Sequence, residues 1–145
     1  MNSASLDPQS NPGFVLWRLG SVWRKRAQEV LVKHGLTHPQ FVLLACISEF
    51  SKKGEKPTQI RLAEYCGMDA ATVSQVVRNL EEKGFICRKP LNGDQRAKAL
   101  GTLEKGRTAL AEAWPSIHVM DRAFMKSEKQ DFVGFIQALR LTLNL

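Results

Sequence analysis

Residues 58–100 read TQIRLAEYCGMDAATVSQVVRNLEEKGFICRKPLNGDQRAKAL, and the order of signals in this stretch decides the fold. Thr58 is placed to cap a short helix carrying Ile60, Leu62, Ala63 and Tyr65, which closes at Gly67. Asp69 is a good cap for the next helix, Ala70 to Lys83, whose Val73, Val76, Val77 and Leu80 keep helical spacing before Gly84 stops it. Two short helices joined by a glycine-containing turn make a helix-turn-helix. Phe85 to Lys89 then reads as a strand. Asn92-Gly93 is a strong turn signal, and Arg96 to Leu100 returns as the second strand of a hairpin. A helix-turn-helix followed at once by a basic hairpin is a winged helix.

Working outward, Thr37-His38-Pro39-Gln40 has the form of a capping box. The helix it opens, to about Ser51, is almost wholly apolar (Phe41, Val42, Leu43, Leu44, Ala45, Cys46, Ile47) and belongs in the middle of the core. Residues 52–57, KKGEKP, form a turn with room for one short edge strand. Upstream, an amphipathic helix is expected from Phe14 to about Lys33, ending at Gly35, and residues 1–13 read as a frayed tail. Downstream, a helix begins near Thr102 or Leu103 and carries Leu110, Ala111, Trp114 and Ile117, with Pro115 expected to kink or break it. Ser127-Glu128-Lys129-Gln130 forms a second capping box. It opens a terminal helix with Phe132, Phe135, Ile136, Leu139 and Leu143 on one face. The expected class is therefore mainly α with a small β-hairpin wing.

At 145 residues the chain fits one domain. Its 43% hydrophobic content is too high for a disordered chain, and no run of eighteen apolar residues occurs to span a membrane. The first thirteen residues hold no positive charge and no apolar stretch, so they are expected to be neither signal nor transit peptide. Cys46, Cys66 and Cys87 are sparse, odd in number and without a CxxC pair, which favours reduced thiols in a cytoplasm. Twenty-one Lys and Arg against fourteen acids give a net charge of +7, which favours an anionic partner such as nucleic acid, although such a charge also serves solubility.

With Val and Leu packed inward, the helix after Asp69 leaves Ala71, Thr72, Ser74, Gln75 and Arg78 toward solvent. Small residues let it approach base edges. Thr72 offers a methyl or a hydroxyl, Ser74 a phosphate contact, and Gln75 a bidentate pair suited to adenine. On the hairpin, Arg88, Lys89, Arg96 and Lys98 flank the turn formed by Asn92 and its neighbours. Arg96 is placed to enter a narrow minor groove, with Asp94 orienting its guanidinium. An ordinary polar helix face and a weak surface ion pair are the competing readings, and they lose ground because helix and hairpin are adjacent.

From about Phe14 onward the chain resembles the MarR family of winged-helix transcriptional regulators. The resemblance rests on Leu36-Thr37-His38-Pro39-Gln40-Phe41, Leu62-Ala63, Thr72-Val73-Ser74, Leu80-Glu81-Glu82-Lys83-Gly84-Phe85-Ile86, Gly93-Asp94-Gln95-Arg96 and Glu104-Lys105-Gly106, in this order. Thr102-Leu103 stands where the family usually has Leu-Thr, which moves the expected helix cap by one residue. The resemblance implies one MarR-like domain over 14–145, with the winged helix at about 37–101 and dimerisation helices at about 14–34 and 103–145. It also implies an obligate homodimer, which the wide apolar faces of both terminal helices independently favour. Many relatives bind small aromatic or phenolic compounds between the dimerisation helices and the winged helix. Trp17, Trp23, His38 and Trp114 are candidates to line such a site here, although tryptophans packed in an interface are the simpler account.

The expected function is that of a cytoplasmic, homodimeric, sequence-specific regulator of double-stranded DNA, acting as a repressor on a pseudo-palindromic operator and released by a small ligand. A winged helix used for protein–protein assembly and a non-specific architectural DNA binder remain the alternatives. No enzyme activity, metal or cofactor is expected. His34 and His38 are separated by helix breakers, the cysteines are unclustered, and no phosphate loop, nucleophile elbow or carboxylate pair occurs. Oxidant-sensing relatives carry their reactive cysteine in the first helix, which has none here. Cys46 reads as inert packing, while Cys66 and Cys87 lie nearer the DNA-binding lobe.

Overall fold

The structure, a computed structural model, describes residues 7–91, 93–125 and 132–143, without the side chains of 94–97, 132 and 133. The chain enters its first helix, α1 (Pro12–Leu31), two residues earlier than expected. Asn11 accepts a hydrogen bond from the Phe14 N–H at 3.0 Å, and Pro12 sits at the first helical position, where no N–H is needed. Part of the expected tail is thus ordered, with a 3-10 turn at Pro8–Ser10 capped by Asp7. A further 3-10 turn (Val32–His34) ends at Gly35, whose φ of 67° is a left-handed conformation that glycine adopts without strain.

The helix α2 (His38–Lys52) opens with both bonds of the capping box in place. Gln40 N–H donates to Thr37 Oγ1 at 3.3 Å, and Thr37 N–H donates to Gln40 Oε1 at 3.1 Å. Its Phe41, Leu43, Leu44, Ile47 and Phe50 are buried, and they pack with Leu31 of α1, Leu36, Leu62, Leu80, Ile86 and Leu100 in one core. Each fully buried leucine contributes roughly 1.5–3 kcal/mol, so this apolar helix is the main support on which the other elements rest.

Around it, α3 (Gln59–Cys66) is capped by Thr58, and α4 (Ala70–Glu82) by Asp69. The strands β1 (Ile86–Leu91) and β2 (Asp94–Thr102) pair antiparallel, Ile86 opposite Thr102. The expected edge strand in 52–57 does not form among the described residues. That segment makes one backbone bond to the sheet, Leu100 N–H to the Pro57 carbonyl at 2.8 Å, and Pro57 has no N–H with which to extend a ladder.

The helix α5 (Glu104–Phe124) runs through Pro115 without the expected break. Pro115 and Ala111, whose carbonyl lacks the proline's donor, are both exposed, so the missing bond falls on the solvent side. Leu103 occupies the cap position with no side-chain cap. Instead its N–H donates to the Phe85 carbonyl at 2.9 Å, and Arg107 holds the Thr102 carbonyl at 2.8 Å. Ala113 and Ile117 are buried, whereas Ala111 and Trp114 face outward.

The last helix, α6 (Phe132–Thr142), leaves Phe135, Leu141 and, just beyond it, Leu143 exposed, Leu141 to 77%. The second capping box, Ser127 to Gln130, lies outside the described residues. At the other end α1 likewise exposes Phe14, Val15, Leu16, Trp17, Leu19 and Val22. Among the described residues no single helix is long and apolar enough to cross a membrane.

Candidate nucleic-acid interface

The outward face of α4 is set by its cap. Thr72 donates both its N–H (2.8 Å) and its hydroxyl (2.6 Å) to the Asp69 carboxylate. These bonds, the hydroxyl's first, hold the exposed Asp69 carboxyl below its ordinary pKa. The Thr72 proton is therefore spent inside the helix, and the side chain presents its methyl and its lone pairs outward. Val73, Val76, Val77 and Leu80 are buried as expected, leaving Ala71, Gln75 and Arg78 exposed and Thr72 and Ser74 half-buried.

Further along, Arg78 Nη2 donates to Gln75 Oε1 at 3.4 Å, and Gln75 Nε2 donates to Asn79 Oδ1 at 3.1 Å. The Gln75 amide thus lies at the centre of a short polar chain on the helix surface. Asn79 was not among the expected site residues. Its signal was its place four residues after Gln75, one turn on along the same face.

In the hairpin, Gly93 takes φ 77°, the left-handed turn that the Asn-Gly signal calls for, and the strand register shifts between Pro90 and Leu91. Lys89 and Lys98 project from the two strands and are exposed. Arg88 has a different task from the one its charge suggests. Its Nε donates to Glu81 Oε2 at 2.8 Å, so it braces the hairpin against α4. Asn92 lies outside the described residues, and so do the side chains of Asp94 and Arg96 with the ion pair expected between them.

The winged helix is fastened from behind. Lys83, which follows α4, donates from Nζ to the Gly35 carbonyl (2.7 Å) and to Gln40 Oε1 (2.9 Å), and Gln40 is only 4% exposed. Gln28 of α1 accepts the His38 N–H at 2.8 Å, Trp23 Nε1 donates to Asp121 of α5 at 2.7 Å, and His34 lies 3.0 Å from the Ser116 hydroxyl. His38 packs edge-on against Trp23 with ring centroids 5.1 Å apart. Burial first, and then the Arg24 charge, lower its pKa.

A cavity of about 570 Å³ opens between the second half of α2 and the start of α5. Tyr65, Leu110 and Trp114 supply apolar walls, Cys46 part of the floor, and Lys52 and Arg107 the cations. Of the four residues expected to line a ligand site, Trp114 is on this cavity, where it also lies against Phe41 at 5.7 Å. Trp23 and His38 form their own pair between α1 and α2, and Trp17 is 64% exposed on α1. Beside the cavity the Cys46 and Cys66 sulfurs are 3.3 Å apart, a proximity that a sequence separation of 20 conceals. Among the described residues no group of three His, Cys, Asp or Glu side chains is arranged to hold a metal ion.

Comparison with known proteins agrees with this architecture. Residues 36–98 match the sequence model of the MarR family. The uncharacterized HTH-type transcriptional regulator YdcH of Bacillus subtilis (strain 168) is 36% identical over 134 residues, 91% of each chain. CouR from Rhodococcus jostii RHA1, solved with p-coumaroyl-CoA bound, superposes with a TM-score of 0.79 over 94% of both chains at 22% identity. A cysteine-to-serine mutant of MarR from E. coli, solved with operator DNA, gives 0.77 over 90% of this chain and 91% of that one at 17% identity.

Proposed function

The chain belongs to the MarR family of transcriptional regulators, and on that premise we propose that it is a cytoplasmic, homodimeric repressor that recognises a pseudo-palindromic operator in double-stranded DNA. The observation that carries the proposal is the outward face of α4, where exposed Ala71, Gln75 and Arg78 and half-buried Thr72 and Ser74 lie beside a hairpin bearing exposed Lys89 and Lys98.

In this reading α4 enters the major groove. Gln75 exchanges its bonds to Asn79 and Arg78 for the edge of a base, adenine being the best match, while Ser74 and Arg78 reach flanking phosphates. Ala71 and the Thr72 methyl allow close approach. Asn92, Asp94, Arg96 and Lys98 form the wing, with Arg96 directed to the minor groove. The exposed apolar faces of α1 and α6 are the dimer contact, because a lone chain leaves them in water. A two-fold dimer sets its two α4 helices in successive major grooves, about 10 bp apart.

The effector in this reading is a small aromatic or phenolic compound. Trp114 and Tyr65 offer ring faces in the cavity between α2 and α5, whose charged lining is Glu49, Lys52 and Arg107, the last already bonded to the Thr102 carbonyl and Glu104. The p-coumaroyl-CoA bound by CouR shares the phenolic ring, carried there on a coenzyme A thioester. Trp17, Trp23 and His38 contribute to such a site only if the dimer brings them to it, as they lie off the cavity within one chain.

The test is recovery of duplexes from the fragmented genome of the source organism, by capture on the protein at near-physiological salt. Enrichment of one inverted repeat is the expected result. Capture without enrichment would favour an architectural binder, and no capture would favour a winged helix used for protein–protein assembly.

A further inference from the structure

Cys46 lies on α2 and Cys66 is the last residue of α3, and their sulfurs stand 3.3 Å apart with no third residue between them. Both side chains are half-buried, and Cys46 lines the open cavity, so a small oxidant in solution has a path to the pair. A covalent S–S bond is about 2.05 Å long, which leaves the sulfurs roughly 1.2 Å to close. We propose that Cys46 and Cys66 are a redox pair that a hydroperoxide closes into a disulfide joining α2 to α3, and that closure weakens the DNA binding inferred above, on which this second half rests.

The step balances without further reactants. The Cys66 thiolate attacks one peroxide oxygen and the O–O bond breaks. The leaving oxygen takes the thiol's proton and departs as water, or as an alcohol from an organic hydroperoxide. Cys66 is then a sulfenic acid. The Cys46 sulfur attacks the Cys66 sulfur, its proton leaves with the displaced hydroxide as water, and the two thiols have given two electrons to one peroxide. The hydrogen bond between the sulfurs lowers the Cys66 pKa and, with burial, raises that of Cys46, which favours Cys66 as the nucleophile and Cys46 as the resolving thiol.

The effect on α4 follows from chain connectivity. Cys66 is followed by Gly67, which turns the chain with φ 65°, and by Met68, whose N–H is held by the Ala63 carbonyl at 3.1 Å. Asp69, the cap of α4, comes next. A pull on Cys66 is therefore applied three residues before the cap of the helix read above as facing DNA. Leu62 and Val73 are fully buried in the shared core, so the strain cannot dissipate in loose packing.

The experiment exposes the reduced full-length chain to hydrogen peroxide, alkylates the remaining thiols under denaturing conditions and maps the peptides by mass. The expected result is one intramolecular Cys46–Cys66 cross-link with Cys87 alkylated, the same closure in Cys87→Ser, and a dimedone-trapped Cys66 sulfenic acid in Cys46→Ser. Affinity for the captured duplex should fall about tenfold on closure and return with dithiothreitol. Cys46 and Cys66 remaining alkylatable, or a cross-link through Cys87 or between chains, would overturn the pair. Closure at unchanged affinity would overturn its regulatory role. A reduced chain that captures no duplex would overturn the DNA-binding reading and that role together, while the peptide map still decides the thiol pair.

Discussion

Lys83, at the end of α4, donates a 2.9 Å hydrogen bond to the side chain of buried Gln40, the same oxygen that receives the Thr37 N–H at the start of α2. One amide oxygen thus joins the capping box of the central core helix to the base of α4. With the Gly35 carbonyl as its second acceptor, the ammonium fixes where α4 ends relative to the turn between α1 and α2.

Replacing Lys83 with Met keeps the aliphatic stem and removes both bonds. Lys83→Met is expected to lower stability by about 1.5–3 kcal/mol, the scale for hydrogen bonds from a charged donor. Urea denaturation of the two proteins checks this, and equal midpoints would show that the contact contributes nothing.

Gly106, near the start of α5, is buried against the backbone of Phe85, the residue before β1. A Cβ added there would overlap the Phe85 carbonyl and lie 3.0 Å from its Cα, and a main chain cannot swing aside as a side-chain tip can. Gly106→Ala should therefore cost about 1–3 kcal/mol or more despite alanine's better helix propensity. Thermal denaturation reads the sign directly, and a stabilised variant would show that α5 and Phe85 separate easily.

His38 gives the fold a pH dependence of definite sign. Burial, aided by Arg24, places its folded pKa below the ordinary 6.5, so the unfolded chain takes up a proton first as pH falls. Its contribution is complete above 6.5 and is lost on acidification toward the folded value. Stability measured from pH 7.5 to 5.5 should decline, and His38→Gln should flatten that decline. A His38→Gln curve parallel to that of the parent would assign the pH dependence elsewhere.

On DNA, Gln75→Ala should change the preferred base at one position of each half-site, whereas a uniform loss across sequences would reduce Gln75 to a phosphate contact. Arg96→Ala should weaken binding by roughly 1–3 kcal/mol with the dimer intact. Affinity unchanged on the best site would remove the wing from recognition.

Much of the winged helix was legible because its signals are local. Thr37 with Gln40, Asp69 before Ala70, and Asn92-Gly93 between two short strands each act within a few residues, and the periodicity of Val73, Val76, Val77 and Leu80 directly indicates a buried face. What escaped depends on residues brought together across the chain. The Cys46–Cys66 contact, the bond from Lys83 to Gln40 and the cavity beside Trp114 each join separate elements, and no short window of sequence contains them. The Arg88–Glu81 pair was hidden for the same reason, since it joins the hairpin to α4. Pro115 failed to break α5 because its missing bond falls on the solvent side.

The central claim is sequence-specific DNA binding, and the most direct measurement is competition between the captured duplex and a scrambled duplex of equal length and composition, titrated at near-physiological salt. The captured duplex is expected to win by at least about a thousandfold, the lower range for specific regulators. A ratio near one would contradict it, because α4 would then be serving phosphates alone.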